Sequence, residues 1–116
     1  MKKIKIAFDI DGTIRSNIEP YEHGDTTSLV KWNYRICGLA MTLASMKNTK
    51  LILWSGSGKQ YAEHIRQLFH AHFSPNKKVF KSAHSKTEAS RLDIDIAIDD
   101  IQACELGELN LIVREK

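Results

Sequence analysis

Lys5-Ile6-Ala7-Phe8-Asp9-Ile10-Asp11-Gly12-Thr13-Ile14 is the stretch that decides how the rest of the chain is read. An apolar run carries two carboxylates to its end, and Gly12 permits a sharp turn there. Residues two apart in an extended chain point to the same side, so Asp9 and Asp11 are expected to share a face where the strand stops. Open α/β sheets place their ligands at the carboxyl ends of parallel strands. Asp-x-Asp-Gly also opens calcium loops, but those loops need further oxygen ligands and a closing Glu. Thr13, Ile14 and Arg15 follow instead, which argues against calcium. Taken alone the motif is a surface turn, and its weight depends on what the other strands bring to it.

Working outward, the polar stretch from Arg15 to Thr27, with Pro20 and Gly24, is expected to be a loop. Asp25 or Thr26 is positioned to cap the helix that follows. Leu29, Trp32, Ile36, Leu39, Leu43 and Met46 recur at alternating spacings of three and four, which predicts an amphipathic helix. Leu51-Ile52-Leu53-Trp54 is a short, wholly apolar run of the kind buried on both faces of a parallel sheet. Ser55-Gly56-Ser57-Gly58 breaks it. Tyr61, Ile65, Leu68 and Phe69 mark the inner face of a second helix that closes before Pro75. Val79-Phe80 predicts a short strand, and Ser85-Lys86-Thr87-Glu88 reads as a capping box opening a third helix through Leu92. Ile94-Asp95-Ile96-Ala97-Ile98 predicts a strand ending in Asp99-Asp100. A helical turn over Gln102 to Leu106 and a last strand, Leu111-Ile112-Val113, complete the pattern. Strand and helix alternate throughout, which predicts one three-layer α/β domain over residues 1–116 with a five-stranded parallel sheet.

The 116 residues suffice for one core and leave no room for a second. A hydrophobic fraction of 42% and a charged fraction of 27% place the chain among ordinary soluble proteins. The formal charge of +3 permits an anionic partner without requiring one, because the basic residues are scattered along the sequence. No apolar stretch approaches a membrane span, and Met-Lys-Lys leads straight into a strand rather than a signal peptide, so a cytoplasmic location is expected. Cys37 and Cys104 show no ligand or redox spacing and read as reduced, buried thiols. His64, His70 and His72 follow helix positions, so no zinc constellation is visible.

Three predicted strands thus end in polar or acidic residues: Asp9 and Asp11, Ser55-Gly56, and Asp99-Asp100. In a parallel sheet these ends line one edge and gather four carboxylates. Like charges so close repel unless a cation sits among them. Hard oxygen ligands of this kind suit Mg²⁺, which is held by one or two carboxylates, waters and substrate phosphate.

The succession Phe-Asp-Ile-Asp-Gly-Thr-Ile, apolar strand with Ser-Gly, Lys, and Ile-Ala-Ile-Asp-Asp resembles the four motifs of the haloacid dehalogenase superfamily, in order across residues 4–100. The first motif is specific in this form, whereas the second and third are weak alone. The resemblance implies a Rossmann-like domain with strand order five-four-one-two-three. It also implies Mg²⁺-dependent hydrolysis of a phosphomonoester. Carried over by position, Asp9 would be the nucleophile that forms an aspartyl-phosphate. Asp11 would be the general acid and base, with its backbone carbonyl on the metal. Ser55 and the Gly56 N–H would hold phosphoryl oxygens. Lys86 would neutralise charge, with Lys81 as its rival. Asp99 would be the side-chain metal ligand, and Asp100 a second ligand or water-holder.

Other classes fit less well. A receiver domain has its acidic pair after the first strand, its phosphorylated Asp at the end of the third and its Lys at the end of the fifth, whereas here Val79-Phe80 ends in Lys81 and the last strand in Arg114-Glu115-Lys116. Gly56-Ser57-Gly58-Lys59 lacks the Gly and the Ser or Thr that a P-loop requires, since Leu53 and Gln60 hold those positions. A binding module that kept the fold and lost turnover has no use for both Asp9 and Asp11. Of the two windows in which relatives carry a cap domain, Arg15 to Thr27 is a short polar loop without a hydrophobic pattern of its own, and Gly58 to Lys78 is used up by one helix and its exit turn. A capless enzyme with an open site is expected, serving a bulky or polymeric phosphate, nucleic-acid ends among them, or closed by a second subunit. Arg15, Tyr21, His23 and Lys59 are candidates for contacting the remainder of such a substrate.

Overall fold

The computed structural model describes residues 2–16, 30–101 and 106–114. The expected caps Asp25 and Thr26, the candidates Tyr21 and His23, the first cap window beyond Ser16, the turn at 102–105 and Cys104 lie outside the described residues.

Strands β1 (Ile4–Phe8), β2 (Thr49–Ser55), β3 (Phe80–Ser85), β4 (Ile96–Asp99) and β5 (Leu109–Ile112) form one sheet in the order β3-β2-β1-β4-β5. Every pairing is parallel. Helices α1 (Tyr34–Ala44), α2 (Lys59–Phe73) and the short α3 (Ala89–Leu92) supply the outer layers. A five-stranded parallel α/β sheet is what the alternation of strand and helix patterns predicted, and its order is the one the resemblance implied.

Strand periodicity decides the layering. Ile6, Phe8, Leu51 and Leu53 point to one face, where Cys37 and Ala40 of α1 and Ala62, Ile65 and Phe69 of α2 close over them. Ala7, Ile52, Trp54 and Ala97 point to the other, covered by Ala89 and Leu92 of α3. β1 lies between two neighbours and is covered on both faces, so Ala7 and Phe8 are wholly buried. An aromatic cluster closes the α2 side: Phe69 packs on Phe80 at 5.0 Å and on Phe73 at 4.8 Å between ring centroids, and Phe8 meets Phe80 edge-on at 5.7 Å. Pairs of this geometry contribute roughly 0.5–1.5 kcal/mol beyond the area they bury.

Three boundaries differ from expectation, each for a local reason. Trp32 is not part of α1. Lys31 O accepts from the Ser16 N–H at 2.6 Å and the Asn33 N–H donates to Ile14 O at 2.9 Å, so 31–33 is held extended beside 14–16. Trp32 is buried instead by edge-on contacts with α2, with Phe69 at 5.8 Å and Phe73 at 5.4 Å between ring centroids. β3 runs from Phe80 to Ser85 rather than over Val79-Phe80. It is an edge strand, and polar Lys81, Ser82 and His84 are tolerated there. β5, also at an edge, begins at Leu109 rather than Leu111, and the Val113 N–H still donates to Asp99 O at 2.7 Å. No helix among the described residues is long and apolar enough to cross a membrane.

Candidate functional site

Register alone brings the strand ends together. Phe8 pairs with Leu53 on one side and Ile98 on the other, so Asp9, Trp54 and Asp99 lie at one level. Ser55 lies one residue further along, which with a strand spacing of about 4.8 Å and a rise of about 3.3 Å puts its Cα about 6 Å from that of Asp9. The Asp9 N–H donates to Ile98 O at 2.9 Å, fixing the first residue beyond β1 to β4.

Beyond Asp9 the chain turns tightly. Gly12 takes a φ of 85°, a conformation that a residue with a Cβ rarely adopts. The Thr13 N–H donates to Ile10 O at 3.1 Å and the Arg15 N–H to the same oxygen at 2.8 Å. This turn folds Thr13 back over Asp9, and its hydroxyl donates to Asp9 Oδ2 at 3.2 Å. Both residues are buried.

Lys86 joins the site from the third motif. Its Nζ lies 2.8 Å from Asp9 Oδ1 and 2.7 Å from Asp99 Oδ2, bridging two buried carboxylates. Lys81, the rival, is exposed on β3 and makes no such contact. The capping box sets this geometry. Glu88 Oε2 accepts from the Ser85 N–H at 2.9 Å and Ser85 Oγ accepts from the Thr87 N–H at 3.3 Å, holding the 3₁₀ turn Lys86–Glu88 against the end of β3. His84 Nδ1, 3.3 Å from Glu88 Oε2, and Arg91 brace the same carboxylate.

Among the described residues, Asp9, Asp99 and Asp100 form a group whose carboxylate oxygens lie within 4.8 Å of one another. Burial pushes Asp9 up to about 7; Lys86 pulls against this, while the charge of Asp99 and a hydrogen bond with Asp100 add to it. Burial also raises Asp100, against the opposing pull of its bond to Asp9. Carboxylates crowded into a buried site disfavour joint ionisation, and a cation among them would relieve it. Burial alone would lower Lys86, but its bonds to Asp9 and Asp99 outweigh that and raise it, so it stays cationic. Three clustered hard oxygens fit a small divalent cation such as Mg²⁺.

The fourth carboxylate departs from expectation. Asp11 was expected on the same face as Asp9 and inside one cluster of four; its side chain instead takes Arg15 and Tyr61. Arg15 NH1 donates to Asp11 Oδ1 at 2.7 Å, and Tyr61 OH donates to the same oxygen at 2.7 Å. Arg15 NH1 also lies 2.9 Å from the Tyr61 hydroxyl. The reason is that β1 ends at Phe8, so the period of two does not extend through Ile10 to Asp11. Both contacts fall on Oδ1. Burial and the neighbouring Asp11 push the Tyr61 phenol up to about 12, so it remains a donor.

Ser55 is buried at the end of β2, with Oγ accepting from the Ser57 N–H at 2.9 Å and its carbonyl accepting from the Gly58 N–H at 3.3 Å. Gly58, with φ of 107°, turns the chain into α2, so neither Ser57 nor Ser55 caps that helix. Gly56 is exposed beside Ser55. Lys59 is exposed on the first turn of α2, whereas Arg15 is buried and committed to Asp11. Thr13, Tyr61 and the clamp role of Arg15 escaped the sequence reading. Thr13 had a local signal, following the turn glycine directly. Tyr61 had none, standing 50 residues from Asp11 in the chain.

Comparison of the chain with family models and with curated proteins returns no match in either.

Proposed function

We propose that the protein is a Mg²⁺-dependent phosphohydrolase that cleaves phosphomonoesters through a phosphoryl group carried on Asp9, as the resemblance to haloacid dehalogenases implies. The observation that carries this reading is the juxtaposition of Asp9, Lys86, Asp99 and Asp100 at the C-terminal edge of the sheet, with Ser55 on the next strand. Phosphoryl transfer needs positioning and charge neutralisation more than covalent machinery, and this group offers both. Asp9, Asp99 and Asp100 would hold the metal ion, which when bound neutralises charge on the phosphoryl oxygens.

Asp9 is held by Thr13 and Lys86, so it meets the phosphorus in one orientation. As its carboxylate bonds to phosphorus, the ester oxygen leaves and takes a proton from Asp11 Oδ2. Asp11 then receives a proton from the water that attacks the aspartyl-phosphate, releasing inorganic phosphate and restoring Asp9. Arg15 and Tyr61 hold Asp11 in place across both steps. Ser55 donates its hydroxyl to a phosphoryl oxygen, and Lys86 stabilises the charge that builds up in the transition state.

The experiment is phosphate release from a panel of phosphometabolites and 5′- and 3′-phosphorylated oligonucleotides, with and without Mg²⁺. Wild-type protein should turn over at least one of them only with the metal. Asp9→Asn should lose roughly a thousandfold or more in rate while remaining folded. Turnover that survives in Asp9→Asn would overturn the nucleophile, and absence of turnover across the panel would leave a phosphate-binding module of the same architecture.

A further inference from the structure

The end of the sheet opposite the carboxylates is basic. Segments 2–5, 45–50 and 74–81 read KKIK, SMKNTK and SPNKKVFK and contain eight lysines and neither Asp nor Glu. Parallel pairing assembles them, because each segment leads into a strand. Ile4 pairs with Thr49 and Leu51 with Phe80, and the Ile4 N–H donates to Asn48 O at 2.7 Å. Lys5 is committed to Leu92 O at 3.1 Å. Lys2, Lys3, Lys47, Lys50, Lys77, Lys78 and Lys81 are exposed, and none has an acidic partner among the described residues.

Between the end of α1 and segment 74–81 lies a groove of about 260 Å³ with an aliphatic floor of Met41, Ala44 and Val79, walled by Lys77, Lys78 and Lys81. α1 and α2 both end here, at Ser45 and Ser74. Two helix C-termini together present about one negative charge, which accounts for about one lysine as a dipole partner. With Lys47, two residues beyond the lining Ser45, about three positive charges are left without a counter-charge. The acidic residues at this end of the sheet, Asp93, Asp95 and Glu108, flank β4 and β5, on the far side of β1 and β2 from the groove.

We propose that this groove and its lysine rim bind the sugar–phosphate backbone of single-stranded nucleic acid. The cationic residues at the rim are all lysine, a point charge suited to phosphate, whereas recognition of peptide carboxylates favours the planar fork of arginine. The groove is concave and too small for a duplex. Its floor has no aromatic ring on which a base would stack, so binding is electrostatic and indifferent to sequence. The surface stands apart from the carboxylate site by the length of the strands, about 17 Å for five residues. The proposal does not depend on the chemistry at that site.

The test is fluorescence anisotropy of a labelled 20-nucleotide single strand with the full chain. With four lysines engaged, raising salt from about 50 to about 200 mM should weaken binding about 50-fold. A variant carrying Lys47→Ala, Lys77→Ala, Lys78→Ala and Lys81→Ala should bind at least about tenfold more weakly at low salt and show a flatter salt slope. Lys77→Glu with Lys78→Glu is the second variant, to be read if the first fails to fold. Arg35→Ala with Arg91→Ala removes positive charge elsewhere and should leave binding within about twofold. No binding at low salt, equal loss in the arginine control, or unchanged affinity in both lysine variants would overturn the proposal. So would tighter binding of a duplex, of poly-glutamate or of phosphatidylserine vesicles.

Discussion

Asp9 and Asp99 are buried side by side, and Lys86 is the cation between them. Removing one partner of such a set leaves charge uncompensated in a medium that solvates it poorly. Lys86→Met should therefore destabilise the metal-free protein by about 3–5 kcal/mol at pH 8, and by much less at pH 5 where Asp9 holds a proton. Denaturant titrations at the two pH values measure the difference; equal losses would show that Lys86 contributes packing rather than charge. The clamp on Asp11 is testable separately. Tyr61→Phe removes one of two donors to Oδ1, worth about 1.5–3 kcal/mol when the acceptor is charged. If Asp11 moves the proton as proposed, kcat should fall about 10- to 100-fold with KM little changed. A rise in KM alone would instead make Tyr61 a substrate contact.

At the scale of elements, the lysine is placed by the 3₁₀ turn after β3, whose stability comes from two reciprocal hydrogen bonds. Ser85→Ala deletes the cap oxygen and should cost about 1 kcal/mol of stability. The functional effect should be larger than the thermal one, because a displacement of Lys86 by about 1 Å spoils the geometry of transfer far more than it loosens the fold. Melting temperature and phosphate release measured on the same preparation compare the two. The capping box was legible because Ser-x-x-Glu is a local pattern whose partners lie three residues apart. The start of α1 was not: the spacing of Leu29, Trp32 and Ile36 continues a helical period, but hydrogen bonds from 14–16 to 31–33 override it. The extent of β3 beyond Phe80 escaped for a related reason, since only Phe80 and Ala83 of its six residues are buried and an edge strand needs no apolar period.

At the scale of the whole molecule, the carboxylate cluster ties stability to pH and to metal. In the unfolded chain Asp9 loses its proton near its ordinary 3.8, and in the folded one near 7. Between those values unfolding releases a proton, so the contribution of Asp9 falls as pH rises through the window and is flat above it. A divalent cation needs the ionised form, so Mg²⁺ should raise the melting temperature more at pH 8 than at pH 5.5. The difference between wild type and Asp9→Asn isolates this group; an increment that does not change with pH would remove Asp9 from the metal site. The sequence by itself determined the layered parallel architecture and the strands that end in Asp9, Ser55 and Asp99. Those follow from periodicity and from turn residues, both of which act over a few positions. Only the tertiary structure decided which carboxylates meet, that Lys86 rather than Lys81 bridges them, that Asp11 is held by Arg15 and Tyr61, and that Lys77, Lys78 and Lys81 line one groove with the end of α1. Each of these depends on strand register and on side chains tens of residues apart converging, and no local pattern encodes such convergence.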